Sequence, residues 1–216
     1  LKGGLRERVF IHSKTGTVRA PDGRSVAEGS GSAERLRAIC ELSLKNLGIE
    51  TLDALCLSRV DPTVPIEDSV GAMARMVEEG KTRFIGLSEA APETVRRGNV
   101  VHPLVSLQFE YSLWTRDVED GGHLEACAEM GLALMAYAPL GYGFLTGAVG
   151  GRGALEKDDT RHKFPRFNDA NAEANRARVA VVQEIAAAHR ASAAQIALAW
   201  LLARDDRVFP IPGCKS

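Results

Sequence analysis

The chain has 216 residues, a formal net charge of −1, 45% hydrophobic residues and 25% charged residues. These proportions exclude wholesale disorder, and the length suits one large domain or two small ones. The balanced charge argues against nucleic acid as a main partner, and no apolar run approaches the ~20 residues that span a bilayer.

The chain opens on Leu1-Lys2-Gly3-Gly4, which reads as mid-loop sequence with no initiator methionine and no signal peptide, so a piece of a longer protein is expected. A strand-like run follows at Arg8–Ser13 (RVFIHS), with Lys14 directly after it. A lysine at the end of a buried strand must be paired, because an isolated buried ammonium is strongly disfavoured; a rim lysine is the alternative. Thr17–Ser32 is polar and glycine-rich and reads as a loop. Ala33–Leu47 carries Leu36, Ile39, Cys40, Leu44 and Leu47 at helical spacing and stops at Gly48.

A second strand, Asp53–Leu57, ends in Ser58, Arg59 and Asp61. Ile66–Glu79 reads as a helix opened by Pro65 and closed by Gly80. Strands are expected at Arg83–Leu87, Leu104–Gln108, Leu132–Ala138 and Arg207–Ile211, the last weakened by Pro210. Helices are expected at Gly122–Met130 and Ala170–His189, and a capping box at Ser192–Gln195 opens an apolar helix over Ile196–Ala203. Gly141–Pro165 reads as a long irregular stretch. About six alternations of strand and helix predict an α/β fold with a parallel sheet, doubly wound or closed into a barrel.

Several motifs invite chemistry. Leu140–Gly147 (LGYGFLTG) follows a strand, but its glycines are spaced GxGxxxG and no helix follows, so the Rossmann fingerprint fails. A glycine-rich loop that approaches a ligand, or a plain tight turn, remains. Thr160–Arg166 (TRHKFPR) holds four groups able to carry positive charge, either a solvated loop or a phosphate clamp. His12, His102, His123, His162 and His189 are scattered without metal-ligand spacing, which argues against zinc, and His12 reads as structural. Cys40, Cys56, Cys127 and Cys214 form no CxxC pair and read as reduced residues of a cytoplasmic protein.

Taken together and in order, Ala54–Gly80, IGLSE at Ile85–Glu89, QFEYSLW at Gln108–Trp114, YAPLGYGFLTG at Tyr137–Gly147 and Gln195–Gly213 resemble the aldo-keto reductases, in their bacterial and plant-like branch. The likeness runs through all 216 residues as a single domain. It implies a (β/α)8 TIM barrel with its site at the C-terminal strand ends, here incomplete, with about six of eight βα units. It also implies NADPH-dependent reduction of an aldehyde or ketone to an alcohol. The family's catalytic lysine matches Lys14. Its nicotinamide ligands match Ser88 and Gln108. Its pyrophosphate loop matches Tyr137, Ala138, Pro139, Leu140 and Gly141, with Arg161 as a phosphate contact, and Gly213 and Lys215 match the segment that meets the adenosine 2′-phosphate.

Two departures accompany the likeness. The family's Asp and proton-donating Tyr would precede Lys14; none of Tyr111, Tyr137 and Tyr142 takes the tyrosine's place, and Lys14 is expected to lack its carboxylate partner and face the barrel mouth alone. The family's histidine at the end of the fourth strand, in a pattern like HRVDP, is here Ser58. The resemblance therefore implies a chain without the first two βα units and the C-terminal end, unstable or self-associating by itself because of its open edges. Its activity is expected to be impaired, and the alternative is a non-catalytic NADPH-binding barrel that acts as a redox sensor or regulatory subunit.

Overall fold

The computed structural model describes residues 4–20 and 25–213. They fall into two compact units, Leu1–Phe109 with Gly121–Leu134, and Glu110–Asp120 with Met135–Ser216, and the chain passes between them inside two strands.

The first unit is built on parallel strands β1 (His12–Lys14), β4 (Leu52–Leu57), β5 (Thr82–Ser88) and β6 (Ser106–Glu110), paired in that order. Strand β4 is buried at all six positions, as expected of a central strand in a parallel sheet covered on both faces. Register aligns Lys14 with Cys56, Cys56 with Gly86, and Gly86 with Ser106; two residues on, Ser88 lies opposite Gln108. Side chains alternate faces along a strand, so these rows, together with Ser58 just beyond β4, belong to one face.

Helices α1 (Ala33–Leu47), α2 (Ile66–Glu78), α3 (Pro92–Val101) and α5 (His123–Met130) alternate with the strands. Helix α1 matches the expected range, with Ser32 accepting from the Arg35 N–H at its start and left-handed Gly48 at its end. Asp53 fixes the entry to β1: it accepts from the Ile11 N–H at 2.8 Å and pairs with Arg6 and Arg83 at 2.8 and 2.9 Å.

Some expected boundaries move. Strand β1 occupies His12–Lys14 rather than Arg8–Ser13, because Arg6–Arg8 coil into a 3₁₀ turn and Val9 and Phe10 remain exposed. Lys14 is therefore the last residue of the strand. The expected loop at Thr17–Ser32 contains an antiparallel hairpin, β2 (Val18–Arg19) with β3 (Ser25–Val26). Helix α3 has a narrow apolar face of Val95 and Gly98, too sparse to give a periodic signal.

In the second unit, β7 (Ala133–Tyr137) contributes its last three residues, and β8 (Val208–Ile211) neighbours it. Helix α4 (Asp117–Asp120), α6 (Asp169–Ala188) and α7 (Ala193–Leu202) complete the regular structure. The capping box at Ser192 and Gln195 is present, and it starts α7 at Ala193, three residues ahead of the expected Ile196. Gly141–Pro165 contains short 3₁₀ turns rather than wholly irregular chain. Phe144, Phe167 and Val179 form the core beneath them, flanked by Trp114, Tyr142 and Phe164.

The row through Gly86 tolerates no side chain. A Cβ there would stand 2.5 Å from Ser106 Oγ and 2.8 Å from the Ser106 carbonyl oxygen, and backbone cannot rotate away. Gly86→Ala is expected to lower stability by about 1–3 kcal/mol, the usual penalty of overpacking, read from the urea midpoint.

Candidate functional site

Within the first unit the C-terminal ends of the parallel strands carry the polar residues. Lys14 Nζ donates to Ser88 Oγ at 3.1 Å, reaching past β4 over the small residues Cys56 and Gly86. Lys14 thus does not face the barrel mouth alone: its ammonium has a hydroxyl acceptor, and Glu89 lies within Coulombic range. Burial is the largest influence on its pKa and holds it below the usual lysine value, with the Arg59 charge acting in the same direction. His12, one turn of the pleat below, is hydrogen-bonded through Nε2 to Ser106 Oγ at 3.0 Å, which makes it a satisfied structural histidine.

Ser58 is 5% exposed, and its role is specific. The Gly16 N–H donates to Ser58 Oγ at 2.8 Å, and the Ser58 N–H donates to Thr15 Oγ1 at 3.1 Å. The residue therefore staples the chain leaving β1 to the chain leaving β4, and its hydroxyl proton is left to donate elsewhere. Arg59, next to it, donates through Nη1 to the Ser58 carbonyl at 2.6 Å and to Ser88 Oγ at 3.4 Å.

Gln108 is 7% exposed, and its Oε1 is buried without a hydrogen-bond partner among the described residues. A buried amide oxygen left unsatisfied is disfavoured by roughly 1–3 kcal/mol, so such an atom, here at the middle of β6 rather than at the end expected from Leu104–Gln108, marks a place where a donor is expected to bind. Glu89, between Ser88 and the loop, has φ 54°, a conformation unusual for a side-chain-bearing residue, and its N–H donates to the Gln108 carbonyl at 3.0 Å. His123 packs its ring 4.3 Å from that of Phe109; burial lowers its pKa, with Glu89 opposing. Strain collected at a strand end is characteristic of a binding site.

The hairpin is latched near this cluster by Asp61. Its Oδ2 accepts from the Gly31 N–H at 2.9 Å, and its Oδ1 accepts from Thr63 N–H and Oγ1 at 2.9 and 2.7 Å. The Ser69 hydroxyl donates to the Gly31 carbonyl at 2.9 Å.

The second unit holds the remaining candidates. After β7 the chain turns at Ala138 (φ 48°), Gly141 (φ 58°), Tyr142 (φ 57°) and Gly143 (φ 92°), and the Gly141 N–H donates to the Ala138 carbonyl at 2.9 Å. A cleft of about 740 Å³ is lined by Tyr137, Ala138, Pro139, Leu140, Asp158, Asp159, Arg161 and Gly213, among others. Gly141 adjoins this lining and is itself buried against Leu145. Arg161 is already engaged: Nη2 donates to Asp159 Oδ2 at 2.6 Å, and Nη1 donates to the Tyr142 carbonyl at 3.1 Å. That guanidinium holds the Asp159 carboxyl down at about 2. The four cationic groups of Thr160–Arg166 do not converge, since Arg166 pairs with Glu110 at 2.9 Å and lies over the rings of Tyr142 and Phe164. Tyr111 is buried, donates to Glu119 at 2.6 Å, and has its pKa pushed up to about 12 by burial first and by Glu119 second, the reverse of an activated acid. Lys215 lies outside the described residues, as does Cys214; Cys40, Cys56 and Cys127 are buried thiols.

The sequence places Arg59 and Asp61 at a strand end and Glu89 in a motif, but assigns no role to them or to Gly16. Arg59 and Asp61 stand in the polar break after β4 and are legible as strand-end residues. The positive φ of Glu89 leaves no trace in residue type.

Alternating strands and helices whose parallel strands follow one another in chain order, β1-β4-β5-β6-β7-β8, without the order reversal of a doubly wound sheet, have the pattern of the barrel class of α/β proteins. The profile of the Aldo/keto reductase family matches residues 1–216, and the chain belongs to that family. It is 41% identical to probable aldo-keto reductase 1 of Glycine max over 216 residues, 99% of this chain and 60% of that protein. Among solved structures, the glycerol dehydrogenase of Gluconobacter oxydans superposes with a TM-score of 0.83 at 24% identity, covering 95% of this chain and 63% of that one. A thermostable aldo-keto reductase solved with the inhibitor epalrestat gives a TM-score of 0.68 at 29% identity, covering 98% and 63%. The chain therefore spans about 60% of the relative's length, and its fold class is α/β, an incomplete (β/α)8 barrel with six parallel strands.

The first unit offers groups that could hold a carboxamide: Gln108 Oε1 is an acceptor with no donor among the described residues, and Ser88 Oγ, which accepts from Lys14, retains a proton to donate. The cleft of the second unit offers Arg161, but a phosphate there has to displace Asp159 from it.

Two outcomes are expected. Lys14 has its pKa depressed, so the unfolded chain binds the proton more tightly. Protonated Lys14 then disfavours folding below its folded pKa, and this penalty disappears as pH rises from there to the unfolded value of 10.5. After reductive methylation with ¹³C, the Lys14 resonance should titrate below those of the exposed lysines and vanish in Lys14→Met. Ser58→Ala should lower stability by about 1 kcal/mol in a urea titration, since the Gly16 N–H loses its acceptor.

Proposed function

We propose that this chain carries the binding residues of an NADPH-dependent oxidoreductase that reduces aldehydes or ketones to alcohols. The observation that supports the reading best is the buried, unpartnered Gln108 Oε1 beside a Ser88 hydroxyl already oriented by Lys14. Gln108 accepts from the carboxamide, Ser88 donates to it, and both orient the ring. When bound, NADPH supplies a hydride to the carbonyl carbon. Tyr137, Ala138, Pro139, Leu140 and Gly141, with Arg161, take the phosphates, and Gly213 and Lys215 the adenosine end.

Lys14 holds a positive charge beside the place where the carbonyl oxygen becomes negative. A buried cation there acts in a low dielectric, where it stabilises developing charge more than it would in water. Ser58 adds a hydroxyl proton. Protonation is assigned by the family likeness to a tyrosine that matches none of Tyr111, Tyr137 and Tyr142, so the work of these residues is to bind and polarise.

A second reading, an NADPH-binding sensor without turnover, is favoured by Ser58. Its oxygen is committed to Gly16, and it brings no imidazole to relay a proton. The two readings share the binding step.

Fluorescence titration with NADPH should show binding at tens of micromolar, and Gln108→Leu should weaken it about tenfold, the equivalent of about 1.4 kcal/mol. No change in fluorescence with the unmodified chain would sink both readings. Binding without aldehyde-dependent NADPH oxidation selects the sensor.

A further inference from the structure

The parallel pairing of β1 with β4 ends on side chains. Its backbone bonds repeat every two residues: the Ala54 N–H donates to the Ile11 carbonyl at 3.0 Å, and the Thr15 N–H donates to the Cys56 carbonyl at 3.0 Å. Two repeats beyond Ala54 and Ile11, the Ser58 N–H would meet the Thr15 carbonyl. It donates instead to Thr15 Oγ1 at 3.1 Å. A hydroxyl thus takes the place of the last rung and releases the main chain after Thr15. Gly16 turns away with φ 69°, in the left-handed region, and its N–H donates to Ser58 Oγ at 2.8 Å.

The two bonds are reciprocal, each hydroxyl accepting from the main chain of the other strand's end. Thr15 is 1% exposed, and the Ser58 N–H is buried, so water does not replace the acceptor if the hydroxyl is lost. Branching at Cβ restricts the rotamers of Thr15 and holds its oxygen in place.

These bonds bracket the site. Thr15 directly follows Lys14, and Ser58 directly precedes Arg59. Lys14 Nζ and Arg59 Nη1 both donate to Ser88 Oγ, at 3.1 and 3.4 Å, and Arg59 Nη1 also donates to the Ser58 carbonyl at 2.6 Å. One oxygen that serves donors from two strand ends requires those ends to keep their spacing.

We propose that Thr15 is a positioning residue: its hydroxyl fixes the end of β1 against the end of β4, and so holds Lys14 and Arg59 where both reach Ser88 Oγ. The inference rests on the oxidoreductase reading for its bearing on NADPH, and on the bonds alone for its effect on Lys14.

The test compares Thr15→Val, which keeps the shape and removes the acceptor, with Thr15→Ser, which keeps the acceptor. Lys14 is titrated by NMR in the 216-residue chains after reductive methylation with ¹³C, and NADPH is titrated by fluorescence with untreated protein. In Thr15→Val, Lys14 is expected to titrate at least about half a pH unit above its position in the parent chain, because a loosened strand end relieves the burial that depresses it. NADPH binding is expected to weaken about fivefold or more. Thr15→Ser should restore both. A Thr15→Val chain with a lowered urea midpoint and an unmoved Lys14 titration overturns the proposal, since a merely structural bond does that. The parent chain supplies a check that needs no variant to fold: the Ser58 amide, although beyond β4, should be protected from hydrogen exchange, and an unprotected Ser58 amide overturns the proposal. If Lys14 responds as expected and no chain binds NADPH, the oxidoreductase reading falls and the positioning of Lys14 stands. If Lys14 moves while NADPH binding is unchanged, the bearing on NADPH falls.

Discussion

The first unit is organised around an ammonium group at the end of a buried strand. Lys14 cannot be left without partners in a region where β4 is wholly buried, and it donates to Ser88, two strands away. Reaching it requires low ground between them. Cys56 and Gly86 provide that, and Gly86 also clears the space that Ser106 needs to meet His12. The polar rows at the strand ends follow from this one requirement: a hydroxyl at Ser88, the stapling of Gly16 to Ser58, and the Arg59 fork resting on the same oxygen.

The second unit solves a different problem. Its loop after β7 must turn sharply four times within six residues, and two of those turns fall on Ala138 and Tyr142, which tolerate positive φ poorly. Tyr142 is held by its surroundings: it stacks on Phe164 at 4.6 Å, lies under Arg166, and offers its carbonyl to Arg161. Arg166 in turn is anchored by Glu110. Two arginines that read by composition as a phosphate clamp are thus framework for the loop, with Arg161 alone lining the cleft.

Much of the fold was legible from period and punctuation. Helix α1 matched residue for residue because Ser32, a full apolar stripe and Gly48 agree with one another. Strands β4, β5 and β7 were found to within a residue because each carries a short apolar segment, fully buried in β4, buried over its last four residues in β5 and alternately buried in β7. Strand β1 was misplaced because Val9 and Phe10 are apolar yet exposed, so hydrophobicity pointed to the wrong segment. Helix α3 and the hairpin went unread for the opposite reason, as each has too few apolar residues to make a pattern.

The sequence by itself determined the alternation of elements, the family likeness, and the identity of Lys14, Ser58 and Ser88 as strand-end residues. All of these depend on local order, which residue type and spacing encode directly. Only the tertiary structure decided what those residues do. It paired Lys14 with Ser88, gave Ser58 to Gly16, left Gln108 Oε1 without a partner among the described residues, and brought Arg59 to the same Ser88 oxygen. Those relations join residues from 29 to 74 positions apart or rest on burial, and both arise only when the strands are laid side by side.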